Sequence, residues 1–390
     1  GADLPKGTNA GTYYVWYKVV GDANHNDSTP ACKSVEIGKA TGSGSVRMDG
    51  WTYGDPAKNP APSSDTNGIT NVTYQYKVQG SDDNTYTDDK PTNAGSYTVK
   101  AAFAATRNYT AATNTANFTI ANATLTGTVT QNGDLTYTGQ PQTAQYNGLG
   151  SVNDQTVSYT FSTTENGAYN DTMPTFTDAG PHTVYYNAKA ANHNDKTGSF
   201  IVTIGGADLT GTVSQSGTLT YNGLAQTAQY TGLTAVNDQP ITYTFCAEEN
   251  GTYNDAMPTV TAADDHTVYY KATAPNHKDP CGCFIVTIGK ATVTSVAEDK
   301  ASYAGDGEPV YTYKVSGLGS GDQLKTEPTL TAQNVNMSRA GTYTIVASGA
   351  AVPNSNYEET IVYVDGNLTV TNRPAPSVIT VTCNANGGQC

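Results

Sequence analysis

The chain is short of charged residues and of residues that favour helices. Charged residues make up 14% of its 390 positions, against roughly 25% in an average globular protein. It has only four Met, and no stretch shows the apolar stripe with a 3.6-residue period that marks a helix. Thr, Asn, Gly and Tyr stand in their place, and these residues suit strands and tight turns. The composition therefore predicts an almost entirely β chain.

Positive charge and long hydrophobic runs are also scarce. The net charge is −14 and the pI is near 4.6, which argues against nucleic acid and anionic lipid as partners, because both require a basic surface. No run of about 18 apolar residues occurs, so no segment is predicted to span a membrane. Signal-peptide, cell-wall sorting and lipidation motifs are not found either. We expect a fragment of a longer protein that carries its targeting and anchoring parts elsewhere.

One phrase recurs along the whole chain. It reads Ala-Gly-Thr-Tyr at 10–13 and returns, with changes, at 94–97, 179–182, 263–266 and 340–343. The steps are 84, 85, 84 and 77 residues. The third and fourth repeats match almost throughout, for example at 200–205 and 284–289. Self-similarity at a fixed period predicts a tandem array of modules.

Each repeat reads as short strands separated by turns. A turn precedes a strand such as 183–189, a loop such as Asn192-His193-Asn194-Asp195 follows, and a last strand such as 199–204 ends in a short linker. Strands with turn signals at this spacing predict a small Ig-like β-sandwich in each module. A β-grasp sheet is the alternative, although no segment is predicted to form the helix that it needs.

The phase of the repeat places the module boundaries, and the short linkers predict that the modules stack end to end as a rod. Each module is expected to be roughly 30–40 Å long. The predicted domains are 1–39 (the C-terminal part of a module), 40–121, 122–205, 206–289, 290–371 (a variant module) and 372–390 (a linker and the start of a further repeat).

Several phrases resemble the MBG-type repeats of large surface proteins of Gram-positive bacteria. They are residues 135–142 (LTYTGQPQ), 11–27 (GTYYVWYKVVGDANHND) and, for a related variant, 311–322 (YTYKVSGLGSGD). The ending 381–388 (VTCNANGG) resembles the start of a Listeria–Bacteroides repeat. The resemblance implies an extracellular, β-rich stalk or adhesive array, and it implies no catalytic residues.

Histidines and acidic loops are the candidates for a metal site. His193 and His277 lie in the Asn-His-x-Asp loops, as does His25, whereas His182 and His266 begin strands, so all five are expected to be polar repeat positions. Three acidic stretches, at 22–27, 82–89 and 248–249, carry the oxygen ligands that Ca²⁺ prefers. Solvated loops are the favoured interpretation, and no cofactor is predicted, with Ca²⁺ as the alternative.

The cysteines are concentrated in the fourth module. Cys246, Cys281 and Cys283 stand where the third module has Ser162, Thr197 and Ser199. Cys281 and Cys283 share a face of one strand and are poorly placed to bond each other, but either is able to pair with Cys246 if their strands are neighbours. Cys383 and Cys390 are candidates for a small terminal loop. Disulfides are therefore possible, and an oxidising location permits them.

Repetition of a near-identical module favours a structural function rather than catalysis. The leading hypothesis is an extracellular stalk or adhesin repeat array of a bacterial surface protein, secreted or anchored in the cell wall. One alternative is a subunit that assembles into a filament or surface layer, and another is a set of glycan- or mucin-binding modules. The expected partners are copies of the chain, neighbouring modules and host glycans. An enzyme is not predicted, because the paired carboxylates of a glycoside hydrolase do not recur in the modules.

Overall fold

The computed structural model describes residues 3–379, and within that range it is built from strands. Its helical segments are three short 3-10 turns, at Asp83–Thr85, Val152–Asp154 and Val236–Asp238. No α-helix occurs among the described residues, which confirms the predicted all-β class and leaves the β-grasp alternative without its helix. A search of the same residues finds no helix with the length and hydrophobicity to cross a membrane.

Module one contains a hairpin of two strands, and module two contains six strands. In module one the strands are β1 (Gly11–Tyr17) and β2 (Ala31–Ile37). In module two they are β3 (Ser45–Arg47), β4 (Trp51–Thr52), β5 (Ala61–Ser63), β6 (Val72–Val78), β7 (Gly95–Phe103) and β8 (Ala112–Ala121).

Modules three and four have the same long strands at equivalent positions. In module three the strands are β9 (Ala123–Thr124), β10 (Thr130–Asn132), β11 (Leu135–Thr136), β12 (Gln142–Thr143), β13 (Gln145–Asn147), β14 (Ser158–Ser162), β15 (Thr175–Phe176), β16 (Gly180–Lys189), β17 (His193–Asn194) and β18 (Lys196–Gly205). In module four they are β19 (Ser214–Ser216), β20 (Leu219–Thr220), β21 (Gln229–Thr231), β22 (Thr242–Cys246), β23 (Asp265–Thr273) and β24 (Cys281–Gly289).

Module five completes the described part of the array. Its strands are β25 (Thr294–Ala297), β26 (Lys300–Tyr303), β27 (Tyr313–Ser316), β28 (Thr329–Ala332), β29 (Gly341–Ser348), β30 (Val362–Val364) and β31 (Gly366–Thr371).

A four-stranded sheet recurs in modules two to five. The strand orders are β4-β8-β7-β6, β11-β18-β16-β14, β20-β24-β23-β22 and β26-β31-β29-β28. In modules two, four and five the first strand of this order runs parallel to its neighbour. Other strands of each module pair separately, as β3-β5, β10-β13, β19-β21 and β27-β25-β30. The two layers form the β-sandwich that the sequence predicted.

The core of each module lies between these layers. The longest strands alternate buried and exposed residues, as β18 does, because successive side chains point to opposite faces. In each complete module, the aliphatic residue that lies five positions after the alanine of the repeated phrase is at most 1% exposed. These residues are Val99, Val184, Val268 and Ile345. Burial of each such side chain stabilises its module by roughly 1.5–3 kcal/mol.

Contacts between residues divide the chain into two compact units. The first comprises Gly1–Leu135 and Gln140–Ile204, and the second comprises Thr136–Gly139 and Gly205–Cys390, each as far as it is described. Neither unit coincides with a single module. The predicted module boundaries and the end-to-end stacking stay predictions.

Candidate functional site: the joints between modules

One asparagine side chain fastens module two to module three. Asn192 follows β16, and its Oδ1 accepts a hydrogen bond from the backbone N of Ala94 in module two (2.9 Å). Its Nδ2 donates to the Oδ1 of Asn93 (3.2 Å). Its backbone O accepts from the N of Ala123, at the start of its own module (2.9 Å). A single residue thus bonds to both modules at their junction.

The same contact occurs at two further joints. The Oδ1 of Asn108 accepts from the N of Ala10 (2.9 Å), and its Nδ2 donates to the Oδ1 of Asn9 (2.9 Å). The Oδ1 of Asn356 accepts from the N of Ala263 (2.9 Å). Their backbone O atoms accept from alanines that begin their own modules, Ala40 (2.8 Å) and Ala291 (3.0 Å). The repeated alanine therefore marks a backbone donor that the following module binds.

The backbone conformation of Asn192 helps to explain the residue type. Its φ of 61° lies in the left-handed region, and Asn276, at the equivalent position in module four, has a φ of 62°. Asn adopts this conformation more readily than most residues with a Cβ. Its side-chain amide also supplies both a donor and an acceptor, which the joint uses.

An aromatic pair lies beside Asn192, Asn276 and Asn356. Tyr53, directly after β4, packs edge-on against His193 with ring centroids 5.8 Å apart and an interplanar angle of 71°. Tyr53 is 9% exposed and His193 is 5% exposed. Edge-to-face packing at this separation is a favourable aromatic geometry. In the second unit the equivalent pairs are Tyr137 with His277 (5.5 Å) and Tyr221 with Tyr357 (5.3 Å).

Both ring nitrogens of His193 are hydrogen-bonded. Nδ1 donates to the backbone O of Ala191 (2.7 Å), and Nε2 accepts from the backbone N of Val152 (2.9 Å). This pattern requires the neutral ring, because an imidazolium has no acceptor. His277 makes the same two bonds, to Pro275 O (2.7 Å) and Val236 N (2.9 Å). His193, expected to be a polar repeat position, is thus a buried part of the joint.

A glycine turn allows the close approach of the next module. Gly54 has a φ of 92°, and a Cβ there would lie 2.1 Å from the Cγ1 of Val152. Gly223 has a φ of 77°, and a Cβ there would lie 2.5 Å from the backbone N of Ser320. A side chain at either position would push the two loops apart. The glycine that follows the repeated tyrosine is thus required by the joint as well as by the turn.

The joint between modules four and five replaces the histidine with a tyrosine. The hydroxyl of Tyr357 accepts from the backbone N of Gly319 (2.7 Å) and donates to the Oδ2 of Asp322. Tyr221 donates to the same carboxylate oxygen (2.9 Å). Burial, followed by the Asp322 carboxylate, raises the pKa of Tyr357 to about 12. The phenol is therefore held in its neutral, donating form.

The acidic loop of module one is closed by its own hydrogen bonds. Asp22 Oδ1 accepts from Asn24 N (2.9 Å) and contacts the His25 ring (2.8 Å), which lowers the pKa of Asp22. Asp27 pairs with Lys18, the main cause of its lowered pKa, and Asp27 Oδ1 accepts from the N of Gly21 (2.9 Å). These carboxylates bind loop atoms rather than converge on one point.

The other acidic loops give no convergent ligand set either. Asp83 pairs with Lys77 (2.6 Å), and Asp88 accepts from Gln75 (3.1 Å). Across residues 3–379, no group of three or more His, Cys, Asp or Glu side chains is arranged to hold a metal ion.

The two histidines at strand starts, His182 and His266, each donate to the carbonyl four residues earlier. His182 donates to Asp178 (2.8 Å) and His266 donates to Ala262 (2.9 Å).

The three thiols of module four share one sheet but do not bond. Cys246 on β22 lies opposite Tyr269 on β23, and Tyr269 lies opposite Cys283 on β24. The condition for a bond from Cys246 to Cys281 or Cys283, that their strands are neighbours, is not met, because β23 lies between β22 and β24. All three thiols are free. Cys383 and Cys390 lie outside the described residues. A cleft of about 610 Å³ beside this face is lined by Tyr253, Lys271 and the thiols of β24.

Sequence reasoning identified the loops that form the joints but not their partners. It assigned Asn192 and its equivalents to turns, although the repeat itself carried a signal. Asn-His or Asn-Tyr recurs at 108–109, 192–193, 276–277 and 356–357, and its Asn always lies 13 to 16 residues after the alanine that begins the repeated phrase. A side chain retained at a fixed position in a variable loop was the available indication of a contact.

Part of the chain matches a known family. Residues 291–369 match the family model described as MBG domain (YGX type). The match covers module five and confirms the resemblance to MBG-type repeats there. No curated protein matches the chain.

Several solved structures show low similarity to the chain. A tetra-tandem repeat from the extending region of a large adhesion protein is 17% identical, with a TM-score of 0.27, over 85% of this chain and 99% of that one. The extracellular domain of protocadherin γB4 is 11% identical, with a TM-score of 0.22, over 95% of this chain and 74% of that one. Drosophila N-cadherin EC1-4 is 9% identical, with a TM-score of 0.18, over 84% and 99%. Scores of this size are too low to support an inference about function.

Proposed function

We propose that the chain is an extracellular stalk of an adhesin-like surface protein, in which stiff joints hold successive modules in a line. A stalk resists bending only if its joints are specific and repeated. The contact of Asn192 with Ala94, which recurs at Asn108 and Asn356, is the observation that supports this function most directly. The match of module five to the MBG domain is consistent with an adhesin-like repeat protein.

Desolvated contacts at the joints also favour stiffness over free rotation. The ring pair of Tyr53 and His193 is buried, and the Gly54 turn leaves no space for a side chain. A flexible linker would instead be rich in Gly and Ser and would lack such contacts. Because the joint between modules two and three uses a backbone donor, side-chain amides and aromatic rings, its strength does not depend on surface charge.

Small-angle X-ray scattering of the full chain tests this function. A compact globule of 390 residues would have a radius of gyration of about 21 Å, whereas a straight array about 150 Å long would have one of about 40 Å. The stalk predicts the larger value. The triple variant Asn108→Ala, Asn192→Gly, Asn356→Ala is expected to bend more and to give a smaller radius. A compact chain, or a triple variant identical to the natural chain, would count against stiff joints.

A cleft in module five favours glycan binding as a second candidate function. It has a volume of about 920 Å³ and is lined by Tyr311 and Tyr313 together with Gln323 and Glu327. Aromatic rings beside amide and carboxylate groups are suited to sugar rings and their hydroxyls. Tyr311 also donates to Glu308 (2.9 Å), and burial followed by this carboxylate raises the pKa of Tyr311 to about 12.

A glycan array separates the two candidates. If the module-five cleft binds sugars, the natural chain gives specific signals that Tyr313→Ala and Gln323→Ala abolish. A pure stalk gives signals no higher than background for all three proteins. The fold of each variant is checked by its far-ultraviolet circular dichroism.

A further inference from the structure

Strand β24 of module four has an open edge. On one side it pairs with β23 over residues 281–287, and on the other side, within the described chain, it pairs only with β20 at Ile288 and Gly289. Gln215 covers one further position, where its side-chain amide accepts from Thr287 N (2.7 Å) and donates to Thr287 O (3.2 Å). From residue 281 to residue 285 no strand among residues 3–379 covers the edge.

The backbone groups at this edge belong to the residues that carry the thiols. Thr287 directs its N and O away from β23, whereas the O of Pro280 accepts from Ala272 of β23 (3.0 Å). Because this direction alternates along a strand, Cys281 and Cys283 have the same outward orientation as Thr287. Both cysteines are exposed and free. The edge therefore presents backbone donors, backbone acceptors and thiols at the same two residues.

Neither thiol has a partner in its own sheet. Cys281 and Cys283 are two residues apart, about 6.6 Å along the strand, whereas the Cβ atoms of a disulfide lie roughly 3.5–4.5 Å apart. Cys246 is two strands away, about 9.6 Å. In module three the equivalent residues are Thr197 and Ser199, on a strand that makes the same pairing. Relative to module three, both thiols are thus an addition to this edge, whereas module one has a thiol only at the position of Cys283, where Cys32 lies opposite Trp16 as Cys283 lies opposite Tyr269.

We infer that the β24 edge is a covalent contact between two copies of this chain. Two such edges are self-complementary when they pair antiparallel about a twofold axis at Gly282. Cys281 of one copy then lies opposite Cys283 of the other, and the reverse holds on the far side of the axis. Opposite residues that exchange backbone hydrogen bonds have Cα atoms about 5.5 Å apart, and disulfides have Cα separations of roughly 5.5–6 Å most often.

The bond forms by two thiol–disulfide exchanges with a low-molecular-weight disulfide. The Cys281 thiolate first attacks the disulfide, forms a mixed disulfide and releases one small thiolate. The Cys283 thiolate of the second copy then attacks the Cys281 sulfur and releases the other small thiolate. Two protein thiols are oxidised and one small disulfide is reduced to two thiols, so that each bond consumes one molecule of oxidant.

Incubation of the full chain with glutathione disulfide tests the contact. We expect a dimer on a non-reducing gel that dithiothreitol reverses, and a cross-linked peptide pair in which Cys281 of one copy is bonded to Cys283 of the other. The matched variant Cys281→Thr with Cys283→Ser restores the residues of module three, so that its fold should be preserved. The dimer yield of this variant is expected to fall at least tenfold. The control variants Cys32→Ser and Cys246→Ser are expected to dimerise as the natural chain does.

Three outcomes would overturn the inference. The first is a dimer that persists in the Cys281→Thr, Cys283→Ser variant, which would place the bond at another cysteine. The second is a peptide map that contains only glutathione adducts. The third is a bond within one chain between Cys281 and Cys283. Thermal unfolding of the variant alongside the natural chain confirms that a lost dimer does not reflect a lost fold.

Discussion

Removal of the Asn192 side chain should loosen the joint between modules two and three without unfolding either module. The change Asn192→Gly keeps the left-handed backbone available but deletes the acceptor for Ala94 N and the donor to Asn93. A partly buried donor that loses its partner costs about 1–3 kcal/mol. This range corresponds to a roughly 5- to 150-fold change in an equilibrium constant.

The assay is hydrogen exchange at the Ala94 amide. If the joint opens as a unit, this amide should exchange about 5- to 150-fold faster in Asn192→Gly, while amides in the middle of β7 and β16 keep their rates. Asn334→Gly is the matched control, because Asn334 is exposed and also has a positive φ, of 50°. Unchanged exchange at Ala94 would refute the reasoning that this side chain holds the joint together.

Three further predictions concern packing, pH and metal. Gly223→Val should destabilise the chain by about 1–3 kcal/mol through overpacking against Ser320, as measured by thermal unfolding. Gly217→Val is the control, because Gly217 has a similar φ but open space around it, so that it measures the cost of the backbone conformation alone. Equal losses of stability in the two variants would exclude a clash. Stability should fall as pH rises from 10 towards 12, because Tyr357 loses its proton in the unfolded chain before it does in the folded chain. The raised pKa of about 12 makes this loss at most about 3 kcal/mol, and a Tyr357→Phe variant with the same alkaline slope would contradict it. EDTA should leave the melting temperature unchanged, since the acidic loops form no convergent site; a lower melting temperature would restore Ca²⁺ as a ligand.

The sequence predicted the local features of the modules but not the contacts between residues that are far apart in the chain. The repeat predicted the all-β class and the sandwich layers, because alternation and turn residues are local signals. It also indicated that Cys281 and Cys283 share a face. It did not indicate that β23 separates them from Cys246, since strand order depends on contacts between distant residues. The pairing of Asn192 with Ala94 spans 98 positions and leaves no local pattern.

His193 and His182 also differ in a way that only the tertiary structure shows. His193 and His182 are both polar residues near the ends of strand β16, and composition gives no reason to separate them. One is buried against Tyr53 with both nitrogens bonded, and the other donates to a nearby carbonyl at the surface. Burial of a ring at a joint depends on the neighbouring module, which the local sequence does not describe.

The sequence by itself determined the β class, the repeat period and the face of each strand that is buried, because these follow from side-chain alternation and backbone preference within a few residues. The tertiary structure decided which strands are neighbours, which thiols remain free and which asparagine links two modules. Those outcomes depend on residues that are far apart in the chain and meet only after the modules have folded, so no local pattern encodes them.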